Sequence, residues 1–81
     1  MLKYKYTLTK SGEKRCIKDE FYLQKTPTYR GYTESIFRIL HRVDEPLTAR
    51  EISALTGIES RSIYGVLTFN IYAGYIKRIL L

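Results

Sequence analysis

Arg61 stands in the run Ser60-Arg61-Ser62-Ile63-Tyr64-Gly65-Val66-Leu67-Thr68, in which Ile63, Val66 and Leu67 follow the i, i+3, i+4 spacing of one helix face. With those three turned inward, Ser60, Arg61, Ser62, Tyr64, Gly65 and Thr68 are left on the outward side. The chemistry open to such a set is recognition by hydrogen bonds. A guanidinium can hold O6 and N7 of a guanine together, and the hydroxyls of Ser62 and Tyr64 can reach a phosphate or a base edge. A phosphate contact or a free surface position is an equally good use for Arg61. Gly65 weakens a helix by about 1 kcal/mol relative to alanine, so something is expected to approach it closely, either DNA or a packed helix.

Bond-making chemistry is not expected. No Ser-His-Asp grouping, glycine-rich phosphate loop or carboxylate pair can be assembled, and Asp44 and Glu45, beside Pro46, read as turn formers. His41 is the only histidine and lies on the Arg38–Arg42 side of its segment, without a second His or Cys at metal-ligand spacing. We expect a non-enzymatic protein with no cofactor, no metal and no evident small-molecule ligand. At 81 residues there is room for one domain with one small core, burying roughly 60 to 65% of the unfolded chain's surface. Cys16 is the single cysteine, which excludes an intrachain disulfide and suits a reducing compartment. No apolar run approaches the roughly 20 residues of a membrane span, and the expected location is the cytoplasm. The formal net charge of +6 points to a polyanionic partner. Most of that excess is amino-terminal: residues 1–30 carry Lys3, Lys5, Lys10, Lys14, Arg15, Lys18, Lys25 and Arg30 against Glu13, Asp19 and Glu20, whereas residues 31–81 are nearly balanced.

The elements that would position these residues can be read in turn. Thr48 and Glu51 have the spacing of a capping box, Ala49, Ile52 and Leu55 share a face of the helix it opens, and Gly57 stops that helix. Ser60 or Ser62 can cap the next, which Ala73 and Gly74 close. Residues 75–81 then suit a strand. Upstream, Tyr32 to Val43 reads as a helix with Thr33 as its cap and Ile36, Phe37, Leu40 and Val43 as its buried stripe, and Glu45-Pro46-Leu47 as a short strand. Thr48 and Arg50, at a helix start, are placed for phosphate contacts.

The first thirty residues read as a basic arm. Leu2 to Thr9 alternates apolar and polar residues with the period of a half-buried strand, broken by Ser11-Gly12. From 15 to 24, Cys16, Ile17, Phe21 and Leu23 or Gln24 recur at helical spacing, and a helix is favoured over a second hairpin strand. Thr26-Pro27-Thr28 is a breaker. Tyr4, Tyr6, Tyr22, Tyr29 and Tyr32 interleave with the basic residues of this part, a pattern that can serve single-stranded nucleic acid by stacking. Half-buried tyrosines at strand positions are the commoner explanation.

Leu55-Thr56-Gly57-Ile58, Ser60-Arg61-Ser62-Ile63-Tyr64 and Ala73-Gly74-Tyr75-Ile76-Lys77-Arg78, with the helix before them, resemble the core of winged helix-turn-helix DNA-binding domains of the bacterial and archaeal regulator type. One departure is Asn70, where that family usually has leucine; Ile71 and Tyr72 are candidates to supply the missing apolar contact. Tyr6-Thr7-Leu8-Thr9-Lys10-Ser11-Gly12-Glu13 is similar to the phrase such proteins carry after the wing, but here it comes first. The resemblance implies a mainly α fold with a small β wing (α+β), one domain over 1–81 with a three-helix core and wing strand over 33–81, and a circularly permuted wing in which Leu2–Thr9 pairs with Tyr75–Leu81, in cis or from another subunit. It implies sequence-specific binding of double-stranded DNA by a small transcriptional regulator, with Ser60, Arg61, Ser62, Tyr64, Gly65 and Thr68 on the recognition helix and Thr48, Arg50, Lys77, Arg78, Lys3, Lys5 and Lys10 on the DNA backbone and wing. A winged-helix module for protein-protein contacts is the alternative. Regulators of this class act as symmetric dimers, and Ile17, Phe21, Leu23, Ile71 and Tyr72 are the apolar residues set aside for a homodimer contact.

Overall fold

The computed structural model describes residues 3–23 and 26–81, with the backbone alone at Tyr22 and Leu23; expectations placed on Leu2, Gln24, Lys25 and the side chains of Tyr22 and Leu23 lie outside the described residues. The order is β1 (Tyr4–Leu8), α1 (Lys10–Ile17), a 3-10 turn (Glu20–Leu23), α2 (Pro27–Val43), α3 (Ala49–Thr56), α4 (Ser60–Tyr72) and β2 (Ile76–Leu80). The result is a mainly helical α+β fold with a two-stranded antiparallel sheet.

The strand pairing follows the alternation in the sequence. β1 and β2 run antiparallel with Tyr4 opposite Leu80, Tyr6 opposite Arg78 and Leu8 opposite Ile76. Tyr6, Leu8 and Ile76 are buried, so Lys5, Thr7, Lys77 and Ile79 occupy the sheet's outer face. β1 and β2 therefore pair within one chain. Tyr6 also exchanges backbone hydrogen bonds with Leu47, at 2.7 and 3.0 Å, which ties the strand to the start of α3.

The strand ends before Ser11-Gly12, as expected, and these two residues go on to open a helix. Both lie in the first turn of α1, where the Thr9 hydroxyl accepts from the Gly12 N–H at 3.1 Å and donates to the Gly74 carbonyl at 2.6 Å. A Cβ at Gly12 would overlap the Tyr75 carbonyl oxygen, so glycine here permits the start of α1 to sit against the entry to β2. The helix expected over 15–24 begins earlier and stops at Ile17, because Asp19 takes φ 58° and reverses the chain. Cys16 and Phe21 enter the core while Ile17 is 72% exposed. The amino-terminal segment is thus part of the core.

Two caps differ from expectation. α2 begins at Pro27, whose ring fixes the backbone angle a first helical residue needs, with Thr26 as N-cap. Thr33 consequently falls inside the helix, buried, its hydroxyl donating to the Tyr29 carbonyl at 2.8 Å. α4 is capped by Glu59, and neither Ser60 nor Ser62 caps it; the Ser62 hydroxyl donates to the Glu59 carboxylate at 3.2 Å. The capping box of α3 is present in both directions, and Gly57 ends that helix at φ 75°. Leu55 is 54% exposed, since Ile58 from the following turn fills the core position instead.

Ile36, Phe37, Ile52, Ile63, Val66 and Leu67 form the buried centre between α2, α3 and α4. Phe21 meets Phe37 edge to face at 5.5 Å, so Phe21 cannot serve a dimer contact. Asn70 is buried: its Nδ2 donates to the Val66 carbonyl at 2.8 Å, and its Oδ1 lies 3.5 Å from Nη1 of Arg15. Arg15 is itself buried. It donates to the Glu20 carbonyl at 3.0 Å, and its guanidinium lies 4.8 Å from the centre of the Tyr75 ring and 5.5 Å from that of Phe37. Asn70 thus helps hold a buried cation.

Candidate nucleic-acid interface

On α4 the inward stripe of Ile63, Val66, Leu67 and Asn70 leaves Arg61, Tyr64, Gly65, Thr68 and Tyr72 along the outward side, with Arg61, Tyr64, Thr68 and Tyr72 each about a helical turn from the next. Ser60, Arg61 and Thr68 are exposed, Tyr64 is 53% exposed, and Ser62 is half-buried against Glu59. Gly65 has its close neighbour: a Cβ there would lie 2.6 Å from the Tyr29 hydroxyl. The approach comes from α2, not from a ligand.

Tyr64 separates two concavities. One, of about 390 Å³, is walled by Lys3 and Tyr4 of the strand end, Thr48 and Arg50 at the start of α3, and Tyr64. Three elements distant in sequence meet there because the Tyr6–Leu47 pairing holds the strand beside α3. Burial raises the pKa of the Tyr6 phenol, an effect the nearby Arg78 charge opposes. Arg78 is stacked over Tyr4 at 4.3 Å, so its charge lies beside this concavity. The second, open and of about 880 Å³, lies between the start of α2 and α4, with Tyr29, Tyr64, Phe69 and Tyr72 as walls and Gly65 and Thr68 between them.

The remaining candidates do not converge. Lys77 faces outward opposite Thr7. Lys10 opens α1 at the end of the strand away from Lys3, and Lys5 points to the outer face, near enough to Glu51 to act on its charge. Arg15, counted in the basic excess, is buried and withdrawn from any surface.

Two carboxylates work against an anion. Glu51 accepts from the Thr48 N–H at 2.9 Å, while the Thr48 hydroxyl accepts from the Glu51 N–H at 3.1 Å; these bonds to Thr48 hold the Glu51 carboxyl below its ordinary range. Glu59 stands likewise at the start of α4. Each carboxylate complements the positive end of its helix, so a phosphate at either start must share that end with a negative charge. The cations at this concavity have no such competition: among the described residues Lys3, Arg50 and Arg61 form no ion pair, whereas Arg38 pairs with Asp19 and Glu34 on another face. Burial raises the Cys16 pKa, which keeps the thiol protonated at neutral pH. Among the described residues no group of three His, Cys, Asp or Glu could hold a metal ion, and no helix is long and apolar enough to cross a membrane.

Sequence reasoning missed the aromatic groove. Tyr29 was legible only as one of several tyrosines near basic residues, and Phe69 carried no signal. Compared with known proteins, the chain matches no family model, no curated protein and no solved structure.

Proposed function

We propose that this chain binds double-stranded DNA with sequence preference, as a small transcriptional regulator built on a permuted winged helix. The observation that carries this reading is the meeting of Lys3, Thr48 and Arg50 beside Tyr64 on the outward side of α4. In helix-turn-helix recognition the amino-terminal turns of the second helix face the base edges while the first helix and neighbouring elements grip the phosphates. Here Arg61 occupies the first position, and Arg50 and Lys3 the second. The order α2, Leu47 bridge, α3, α4 and β2, with β1 completing the hairpin, supports the winged-helix assignment. Assembly as a homodimer is part of the proposal, with Ile17, 72% exposed, as its apolar contact; sedimentation showing only a 9.5 kDa species, free and with duplex, would remove that part. A reducing cytoplasm suits the single buried thiol.

The test is selection of bound duplexes from a random pool, followed by Arg61→Ala on the enriched site. A base-reading Arg61 gives a loss of about 1 to 3 kcal/mol and relaxed preference at one base pair; an equal loss on every sequence makes it a phosphate contact. No enrichment above the starting pool refutes sequence-specific binding. The second reading, a protein-docking winged helix, is favoured by the exposed rings of Tyr64, Phe69 and Tyr72, and it requires an affinity that hardly changes with salt.

A further inference from the structure

We propose that the groove between the start of α2 and the carboxy-terminal half of α4 binds unpaired nucleobases, so that the protein takes single-stranded DNA as well as duplex. Intact duplex offers a protein base edges in its grooves, whereas the faces of its bases are covered by their neighbours. Aromatic side chains need those faces. The groove is walled by four of them: Tyr29, Tyr64, Phe69 and Tyr72.

Their exposure is large where it need not be for packing. Tyr72 is 91% exposed, and Phe69 is 54% exposed, on a helix whose inward stripe already fills the core. Gly65 extends the platform, because its lack of a side chain lets the Tyr29 hydroxyl come within 2.6 Å of the place a Cβ would take. That brings a ring of α2 up to the stripe of α4.

Charge and continuity select the occupant. Tyr64 belongs both to this groove and to the concavity that holds Lys3 and Arg50, and Arg61 lies one turn before it. A strand whose phosphates follow Lys3, Arg50 and Arg61 would carry its bases across the aromatic walls. The amino-terminal turns of α4 are the ones a duplex groove accepts, so the aromatic half lies where a strand leaving the duplex would pass.

The inference uses the same face as the duplex reading but stands or falls separately. The full 81-residue chain is titrated at low salt with three labelled probes: a twelve-nucleotide oligothymidylate, an abasic strand of the same length, and a duplex. Stacking predicts that oligothymidylate binds at least tenfold more tightly than the abasic strand, which carries the same phosphates. It also predicts that Tyr72→Ala, at a site outside the core, weakens oligothymidylate binding about 5- to 150-fold and leaves the abasic strand unchanged, while Tyr72→Phe restores it. Equal affinity for oligothymidylate and the abasic strand overturns the inference, as does no effect of Tyr72→Ala with Tyr64→Ala combined. Oligothymidylate bound and duplex refused would leave the inference standing and remove the duplex reading.

Discussion

The same substitution, glycine to alanine, should act with opposite signs at Gly12 and Gly31, and without net effect on the fold at Gly65. At Gly12 the new methyl meets backbone: it would overlap the Tyr75 carbonyl oxygen and lie 3.1 Å from the carbonyl carbon. That oxygen already accepts from the Thr9 N–H at 3.0 Å. Separating α1 from the entry to β2 incurs overpacking of about 1 to 3 kcal/mol and weakens a hydrogen bond contributing about 1 kcal/mol, partly offset by alanine's better helix propensity. A net loss of about 1 to 3 kcal/mol lowers the melting temperature by roughly 4 to 24 °C in a domain of this size. At Gly31, inside α2, nothing lies within 4 Å of the new methyl, and the gain is about 0.5 to 1 kcal/mol. At Gly65 the methyl meets only the far end of the Tyr29 side chain, which can swing away, so stability changes by less than about 1 kcal/mol while oligothymidylate binding falls. Thermal denaturation followed by circular dichroism reads the stability of all three variants. A Gly12→Ala protein that melts at or above the parent temperature would refute the close packing of α1 on Gly74 and Tyr75.

Lys3→Gln should reduce the slope of log affinity for duplex against log salt by up to about 0.9, whereas Lys10→Gln, at the far end of the strand, should leave it unchanged; equal effects would show that the strand end has no special place in binding. Glu51 has a folded-state pKa held down by its bonds to Thr48, so its contribution to stability is complete above the ordinary carboxylate pKa and is lost as pH falls through the lowered value. The melting temperature difference between the parent and Glu51→Gln should therefore shrink as pH falls from about 6 to about 3, and a difference independent of pH would contradict the capping account. Removing residues 1–10 deletes β1, leaving Ile76 without cover and Leu47 without its backbone partner; the remainder should aggregate or lose cooperative unfolding, and a soluble, folded truncation would show the strand to be dispensable.

What the sequence disclosed was local. The capping box at Thr48 and Glu51, the stop at Gly57 and the inward stripe of α4 involve residues within a turn or two of each other, where spacing alone fixes the geometry. The pairing of β1 with β2 was implied by the likeness of Tyr6 to Glu13 to the phrase that follows the wing in winged-helix regulators, which left open whether the partner strand lay in the same chain; the two strands pair in cis. What escaped was contact at a distance. Asn70 and Arg15, 55 residues apart, complete each other in the core, and neither signals the other along the chain. Thr33 looked like a cap because Pro27 was read as a breaker, although its ring also starts helices. Leu55 and Ile58 compete for one core position, a contest decided by the left-handed turn between them. The aromatic groove depends on how the start of α2 lies against α4, so Tyr29 and Phe69 could be seen as residues but not as walls of one surface.

The most direct measurement is the change in backbone amide resonances of the isotopically labelled 81-residue chain on titration with the duplex enriched from a random pool. The account predicts that the shifts concentrate at Ser60 to Thr68 of α4, at Thr48 to Glu51, and at Lys3 to Tyr6, with the outer-face residue Lys77 and the start of α1 at Lys10 little changed. Shifts centred on α1 or the outer face of the sheet, with α4 silent, would contradict it.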